Sequence, residues 1–196
     1  MRRASDYGAS VIDVPALIVP GIGNSGPQHW QTLWEQRHPH WQRISQRDWD
    51  CPRCDEWVAA LDAALAGFAT QPVFVAHSMG CLVVAHWAGR SSVPVRAAFL
   101  VAVPDPNSPN FPSAAQGFQP VPLSPLQFPS LVVSSTDDPF GSVAHAQRCA
   151  EAWGSEFVKI GSAGHINAES GHGDWPDGLR LLGRLLRSAR PADRSR

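Results

Sequence analysis

Six short apolar runs, each bounded by turn residues and separated by stretches with helical spacing, constrain this chain more than any other feature. They are PALIVP (15–20), WQRISQRDW (41–49, the weakest and most alternating), PVFVA (72–76), VRAAFLVAV (95–103), SLVVSS (130–135) and EFVKI (156–160). Most are continuously apolar, which is the pattern of strands buried on both faces. The intervening segments read as helices. In 27–39 the residues Trp30, Leu33, Trp34 and Arg37 share a face. In 55–69 a stripe of Trp57, Leu61, Leu65 and Phe68 follows Asp55, a natural cap. Further helices are expected over 79–90, 142–153 and 177–188. Strands alternating with helices predict an α/β fold: one compact domain of about six mostly parallel strands, helices on both faces, and a site at the carboxyl ends of the strands.

Length and composition agree with a single domain. The chain has 196 residues, 43% hydrophobic and 17% charged, enough to bury one sizeable core. A domain over 13–188 is expected, between polar tails at 1–12 and 189–196. The net charge of −1 gives no reason to expect nucleic acid or an anionic membrane as partner, and no run approaches the length of a membrane span. The basic N-terminus lacks the apolar core of an export signal, so a cytoplasmic location with reduced thiols is expected. Cys51 and Cys54 form a C-x-x-C, but no second pair or ligand-spaced histidines accompany it, so it is read as a loop rather than a metal or redox site.

The chemistry concentrates where apolar runs end. A serine hydroxyl becomes a useful nucleophile only with a base in hydrogen-bond reach, a group orienting that base, and donors for the developing oxyanion. Ser78 follows PVFVA and precedes a helix, the context of a nucleophile elbow, within AHSMG rather than G-x-S-x-G. The tight turn needs small neighbours. Gly80 meets that need, and Ala76 is the mildest departure from glycine at the other position. Candidate acids, Asp137 and Asp138, directly follow SLVVSST. An Asp-Pro turn alone would also explain them. His165 follows the last strand in a loop containing Gly161 and Gly164, with His172 as a rival further on. Histidines 29, 38, 40, 77, 86 and 145 lie before the serine or within expected helices and loops. The amide of Met79, at a helix N-terminus, suits an oxyanion, and Ile22 or Gly23 in the first glycine-rich loop could supply a second donor.

That loop, GIGNSG (21–26), also matches the G-x-G-x-x-G dinucleotide fingerprint, with Asp48 downstream as the acidic residue. Against it, Pro27 and the bulky QHW open the next helix where close packing favours small residues, and Ser78, the aspartates and His165 are left without a role. A non-catalytic interaction module on a hydrolase fold is the third reading. PRCDE has part of an L-x-C-x-E motif, but Pro52 replaces its leucine. The proline-rich stretch 104–129, with Phe111, Phe118 and Phe128, is long enough to suggest a pocket wall.

The segments VPGIGNSGPQHWQTLWE, VFVAHSMGC, SSTDDPF and GSAGHINAESG together resemble the RBBP9/YdeN family of small serine hydrolases, within the α/β-hydrolase superfamily. The resemblance runs from about Pro15 to the last helix. It implies a compact fold without a large lid domain and makes the glycine loop an oxyanion loop rather than a nucleotide cradle. It favours Asp138, next to Pro139, over Asp137 as the acid, and His165 as the base. The expected activity is hydrolysis of small carboxylic esters, with thioesters or amides also considered, through Ser78, His165 and Asp138. No metal or organic cofactor is expected, and the expected partner is a small ester or amide substrate. The sequence names no protein partner. Candidate pocket residues are Asn24, His77, Phe111, Phe118, Phe140 and Ile166.

Overall fold

The computed structural model describes residues 13–189. The expected tails lie outside this range, except Ala189, which caps the last helix. All six expected strands form: β1 (Ala16–Val19), β2 (Trp41–Arg43), β3 (Val73–His77), β4 (Ala97–Val101), β5 (Ser130–Ser134) and β6 (Glu156–Lys159). They make one sheet in the order β2-β1-β3-β4-β5-β6, and every neighbouring pair is parallel. Among the described residues five α-helices accompany it: α1 (Trp30–Arg37), α2 (Cys54–Leu65), α3 (Met79–Ala88), α4 (Val143–Trp153) and α5 (Pro176–Ser188).

Alternate strand residues feed two separate cores, which is why the runs are apolar throughout. Leu17, Phe74, Ala98, Leu100 and Val132 pack with α2, α3 and α4 on one face. Ile18, Val75, Phe99, Val101 and Val133 pack with Trp30 and Trp34 of α1 and Leu182, Leu185 and Leu186 of α5 on the other. The chain leaves β1 for β2 on one side and returns to β3 on the other. Strand order therefore reverses between β1 and β3, opening a crevice beyond their carboxyl ends.

Three local expectations change. The second strand stops at Arg43, because the chain turns away after Ile44 and folds around Asp48, whose carboxylate accepts from the amides of Asp50 and Cys51. The first residue of α2 is Cys54, so Asp55 sits inside the first turn and pairs with Arg90 rather than capping. On α1 the buried face is Trp30, Gln31 and Trp34, while Leu33 is half-buried and Arg37 exposed. Gln31 is buried because its amide reaches the Val75 carbonyl at 2.9 Å, supplying a donor to the strand ends.

Two glycines fix the crevice. A Cβ on Gly80, in the first turn of α3, would run into the Val19 carbonyl, and one on Gly21 would lie 2.9 Å from the Ser78 Cβ. Gly80→Ala is expected to cost about 3 kcal/mol or more, since the Val19 and Pro20 carbonyls that its methyl would meet are both backbone. Gly26→Ala, with no atom near its added methyl, is expected to stay within about 0.5 kcal/mol of wild type. Urea unfolding of the two variants checks the contrast, and equal stabilities would contradict it.

Candidate active site

Ser78 occupies the sharp turn between β3 and α3, with φ 54° and ψ −125°, a conformation L-residues avoid. The turn is held on both sides. Ser78 N–H donates to the Val101 carbonyl and its own carbonyl accepts from Cys81 N–H, each at 2.9 Å. The result aims the hydroxyl out of the sheet at the N-terminus of α3.

The loop after β6 brings His165 to it, with Nε2 2.8 Å from the Ser78 Oγ. The other ring nitrogen, Nδ1, lies 2.9 and 3.0 Å from the two carboxylate oxygens of Asp138. A carboxylate only accepts, so Nδ1 carries the proton and Nε2 is left to accept from the serine. Phe140 meets the imidazole edge-on at a centroid distance of 4.6 Å and restricts its rotation.

The two aspartates take different work. Asp138 is buried against the imidazole, its side chain 2% exposed. Asp137 instead accepts from the Ser135 hydroxyl and from the amides of Ala163 and Gly164. The Ser135 hydroxyl and then the Gly164 amide hold the Asp137 carboxyl below its usual range. It pins the loop that carries His165 and does not touch the ring. His172 is turned away, bonded to the Ser170 carbonyl and set edge-on to Trp175.

The first glycine-rich loop closes over the serine. Gly23 N–H donates to the Trp49 carbonyl at 3.2 Å, so of the two expected donors only the Ile22 amide is left without a backbone partner, on a residue that lines the cavity. Gly26 contacts nothing a Cβ would disturb, and α1 starts four residues later, at Trp30. Asp48 is fully exposed and engaged in its own turn. The close helix packing and the acidic partner that a dinucleotide cradle needs are thus missing from this loop.

A cavity of about 460 Å³ opens above Ser78. Of the expected lining residues, His77 and Phe140 border it, whereas four others do not. Asn24 is turned to Arg43 (Nη1 to Oδ1, 3.0 Å). Phe118 is driven into the core against Trp57 because its ring finds dry packing there. Phe111 faces a neighbouring hollow with Pro112. Ile166 is fully buried, its carbonyl accepting from the Trp30 indole at 2.8 Å. The proline-rich stretch does supply a wall, through Pro104 and Pro112. Asn167 and Glu169, absent from the sequence-based candidates, close the far side. Away from the site, Cys51 is exposed, and Cys54 is buried with its thiol pushed up to about 11 by burial.

His29 was also unforeseen, though it lies in the GPQHW segment that carries the resemblance. It lines the cavity while nearly fully buried. Its Nδ1 accepts from Gln31 N–H at 3.2 Å and caps α1. Burial first, then the charges of Arg43 and His165, push its pKa down to about 3. His77 is likewise held neutral, chiefly by burial, and its Nε2–H donates to the His165 carbonyl at 2.9 Å. His165, the expected base, is thus braced by a neutral histidine from β3.

Fold and site define an α/β hydrolase with a serine at the end of its third strand. The model of the family described as serine hydrolase matches residues 16–184. A protein described as a YdeN-like hydrolase from Pectobacterium atrosepticum is similar over 91% of this chain and 93% of its own, at 37% identity and a TM-score of 0.80. The ydeN gene product of B. subtilis, at 17% identity, shares the fold over 89% of this chain and 99% of its own, with a TM-score of 0.73. A thermophilic esterase from Thermogutta terrifontis, also at 17% identity, does so over 91% of both chains, with a TM-score of 0.67. No curated protein matches the sequence. The chain belongs to the serine hydrolase family of RBBP9/YdeN type and is a serine hydrolase of the α/β-hydrolase superfamily.

The neutral histidines give the fold an acid sensitivity with a defined sign. Unfolded, His29 titrates near its ordinary 6.5; folded, it stays neutral down to about 3. Its contribution is therefore complete above pH 6.5 and is lost as pH falls from there towards 3, by up to about 1.4 kcal/mol per pH unit. His29→Asn keeps a capping acceptor and has nothing to titrate. Between pH 7 and pH 5 the variant is expected to lose about 2 kcal/mol less stability than wild type, as read by urea unfolding. Equal losses would contradict this origin.

Proposed function

We propose that the protein is a carboxylesterase-like enzyme that cleaves small neutral esters, and more slowly thioesters or amides, through an acyl-enzyme on Ser78. The observation that carries this reading is the continuous hydrogen-bonded line from Ser78 through His165 to Asp138 at the floor of an open cavity. His165 Nε2 takes the hydroxyl proton as Oγ attacks the acyl carbon. Asp138 keeps the tautomer that leaves Nε2 free and stabilises the imidazolium. The amides of Met79 and Ile22 are the donors assigned to the tetrahedral oxyanion, and the positive end of α3 adds to the field there. His165 then returns the proton to the leaving group. A water, deprotonated by the same nitrogen, releases the acid and restores Ser78. In this reading AHSMG is a working nucleophile elbow, and the enzyme needs no metal or organic cofactor. A cytoplasmic setting suits its free thiols. Among the described residues no helix is long and apolar enough to cross a membrane.

The cavity wall favours uncharged substrates. Ile22, Met79, Pro104, Pro112, Phe140 and Ala168 are apolar, and, histidines aside, the single ionisable side chain on the wall among the described residues is Glu169, which is exposed. Among the described residues no lysine or arginine stands there to receive a phosphate or carboxylate.

With p-nitrophenyl acetate, Ser78→Ala is expected to lower kcat roughly 10³-fold or more, and Asp138→Asn by a smaller but large factor, because the wrong imidazole tautomer is then favoured. Asp137→Asn is expected to act less than Asp138→Asn, since Asp137 holds the loop rather than the ring. Full activity in Ser78→Ala, or a large loss confined to Asp137→Asn, would overturn the assignment. For one acyl group, kcat/KM for the coenzyme A thioester is expected to be about tenfold or more below that of an uncharged thioester at low salt, with Glu169→Gln narrowing the gap. Equal values would remove the charge argument.

A further inference from the structure

The oxyanion loop has an unfavourable backbone and something must hold it. Gly23, Asn24 and Ser25 follow one another with φ of 75°, 59° and 50°. Only the first is a glycine, and Ser25 in particular has no intrinsic preference for this region. The loop's own backbone offers little restraint at Asn24 and Ser25: one 3₁₀ turn, Asn24 N–H to the Gly21 carbonyl at 3.3 Å, the bond from Gly23 to Trp49, and His29 N–H to the Gly26 carbonyl beyond them; the Ser25 hydroxyl also donates to the Gln31 side chain at 2.6 Å.

The restraint comes from Arg43, the last residue of the edge strand β2. Nη1 donates to the Asn24 carbonyl at 2.6 Å, to the Asn24 Oδ1 at 3.0 Å and to the Ser25 carbonyl at 3.3 Å. Nη2 donates to the Thr32 hydroxyl at 2.8 Å and to Glu35 at 2.6 Å, and Nε also reaches Glu35, at 2.9 Å. Thr32 in turn donates to the Ser25 carbonyl at 2.6 Å. All three guanidinium nitrogens are engaged, and the side chain is only 14% exposed. A planar fork of five donors can serve two carbonyls, an amide oxygen, a hydroxyl and a carboxylate together; an ammonium on a flexible stem cannot. The pairing of Arg43 with Ile18 in β1 sets the height at which this fork meets the loop.

We propose that Arg43 is a positioning residue for catalysis: by clamping Asn24 and Ser25 it fixes the Ile22 amide at the oxyanion. The short strand β2 then has a role of its own, delivering this side chain from the sheet edge to the site. The Glu35 carboxylate compensates the charge, and α1 joins the clamp through Thr32 and Glu35. The inference rests on the acyl-enzyme mechanism above.

The test compares wild type with Arg43→Met, Arg43→Lys and Thr32→Val on p-nitrophenyl acetate, and with phenylboronic acid as a tetrahedral-anion mimic on the serine. A misplaced donor weakens the transition state and spares the ground state. Arg43→Met is expected to lower kcat roughly 10- to 100-fold with KM within about threefold, and to weaken boronate binding by the same factor as kcat/KM. Arg43→Lys should follow it closely, and Thr32→Val should fall in the same direction by a smaller factor. A purely structural role would lower the melting temperature and leave kcat per folded molecule and boronate affinity unchanged. If Arg43→Met does not fold, the other two variants carry the same comparison. Folded variants with kcat within twofold of wild type, or with boronate affinity unchanged while kcat falls, overturn the proposal. Ser78→Ala measured alongside separates the two readings: its loss of activity with Arg43 variants unaffected overturns the clamp alone, and its retention of activity overturns the serine mechanism as well.

Discussion

A contact made without side chains organises the molecule. The first turn of α3 lies against the end of β1 so closely that Gly80 touches the Val19 and Pro20 carbonyls, while Gly21 of the following loop lies against Ser78. Each element thereby limits where the other can be. Parallel pairing of Val19 with Ala76 brings the two strand ends level, so the chain reversal on each side happens at one height. Ser78 can keep its disfavoured backbone because the Val101 carbonyl on one side and the α3 turn on the other leave it no alternative. The first glycine-rich loop and the serine are therefore two halves of one packing event.

Around that contact the polar groups divide into those that form the hydrogen-bonded line from Ser78 and those that hold it in place. Asp138 and His165 belong to the first kind. Asp137, His77, Gln31 and Arg43 belong to the second, and each satisfies backbone atoms that loops and strand ends leave open. His77 of this outer set, like His29 beside it, is kept neutral chiefly by burial, so each can donate or accept at a fixed nitrogen without adding charge beside His165. This is how an apolar sheet carries so many polar side chains at one edge.

The sheet was legible in the sequence because burial on both faces leaves a mark that needs no partner to read: PVFVA and SLVVSS are apolar end to end. The ends of those runs also marked Ser78, the aspartate pair and His165. Less was legible where a residue's role depends on what folds back on it. Phe118 looked like a pocket residue and is a core residue, because whether an aromatic in a proline-rich stretch faces the cavity or Trp57 is decided by tertiary packing. Asn24 sits in the right loop but its side chain is claimed by Arg43 from a strand nineteen positions on. Nothing in the sequence sets His29 apart among eight histidines, since its burial beside His77 arises only once α1 docks on the sheet. Of Asp137 and Asp138, spacing alone could not choose, as both follow the same strand; the loop that returns after β6 separates them.

The central claim is that Ser78 is an activated nucleophile only in the folded chain. Its most direct test is the reaction of a fluorophosphonate with native and heat-denatured protein, with the adduct located by peptide mass spectrometry. One stoichiometric adduct, on the peptide containing Ser78, is expected in the native protein and none after denaturation. No adduct on the native protein, or an adduct on another residue with Ser78 unmodified, would contradict it.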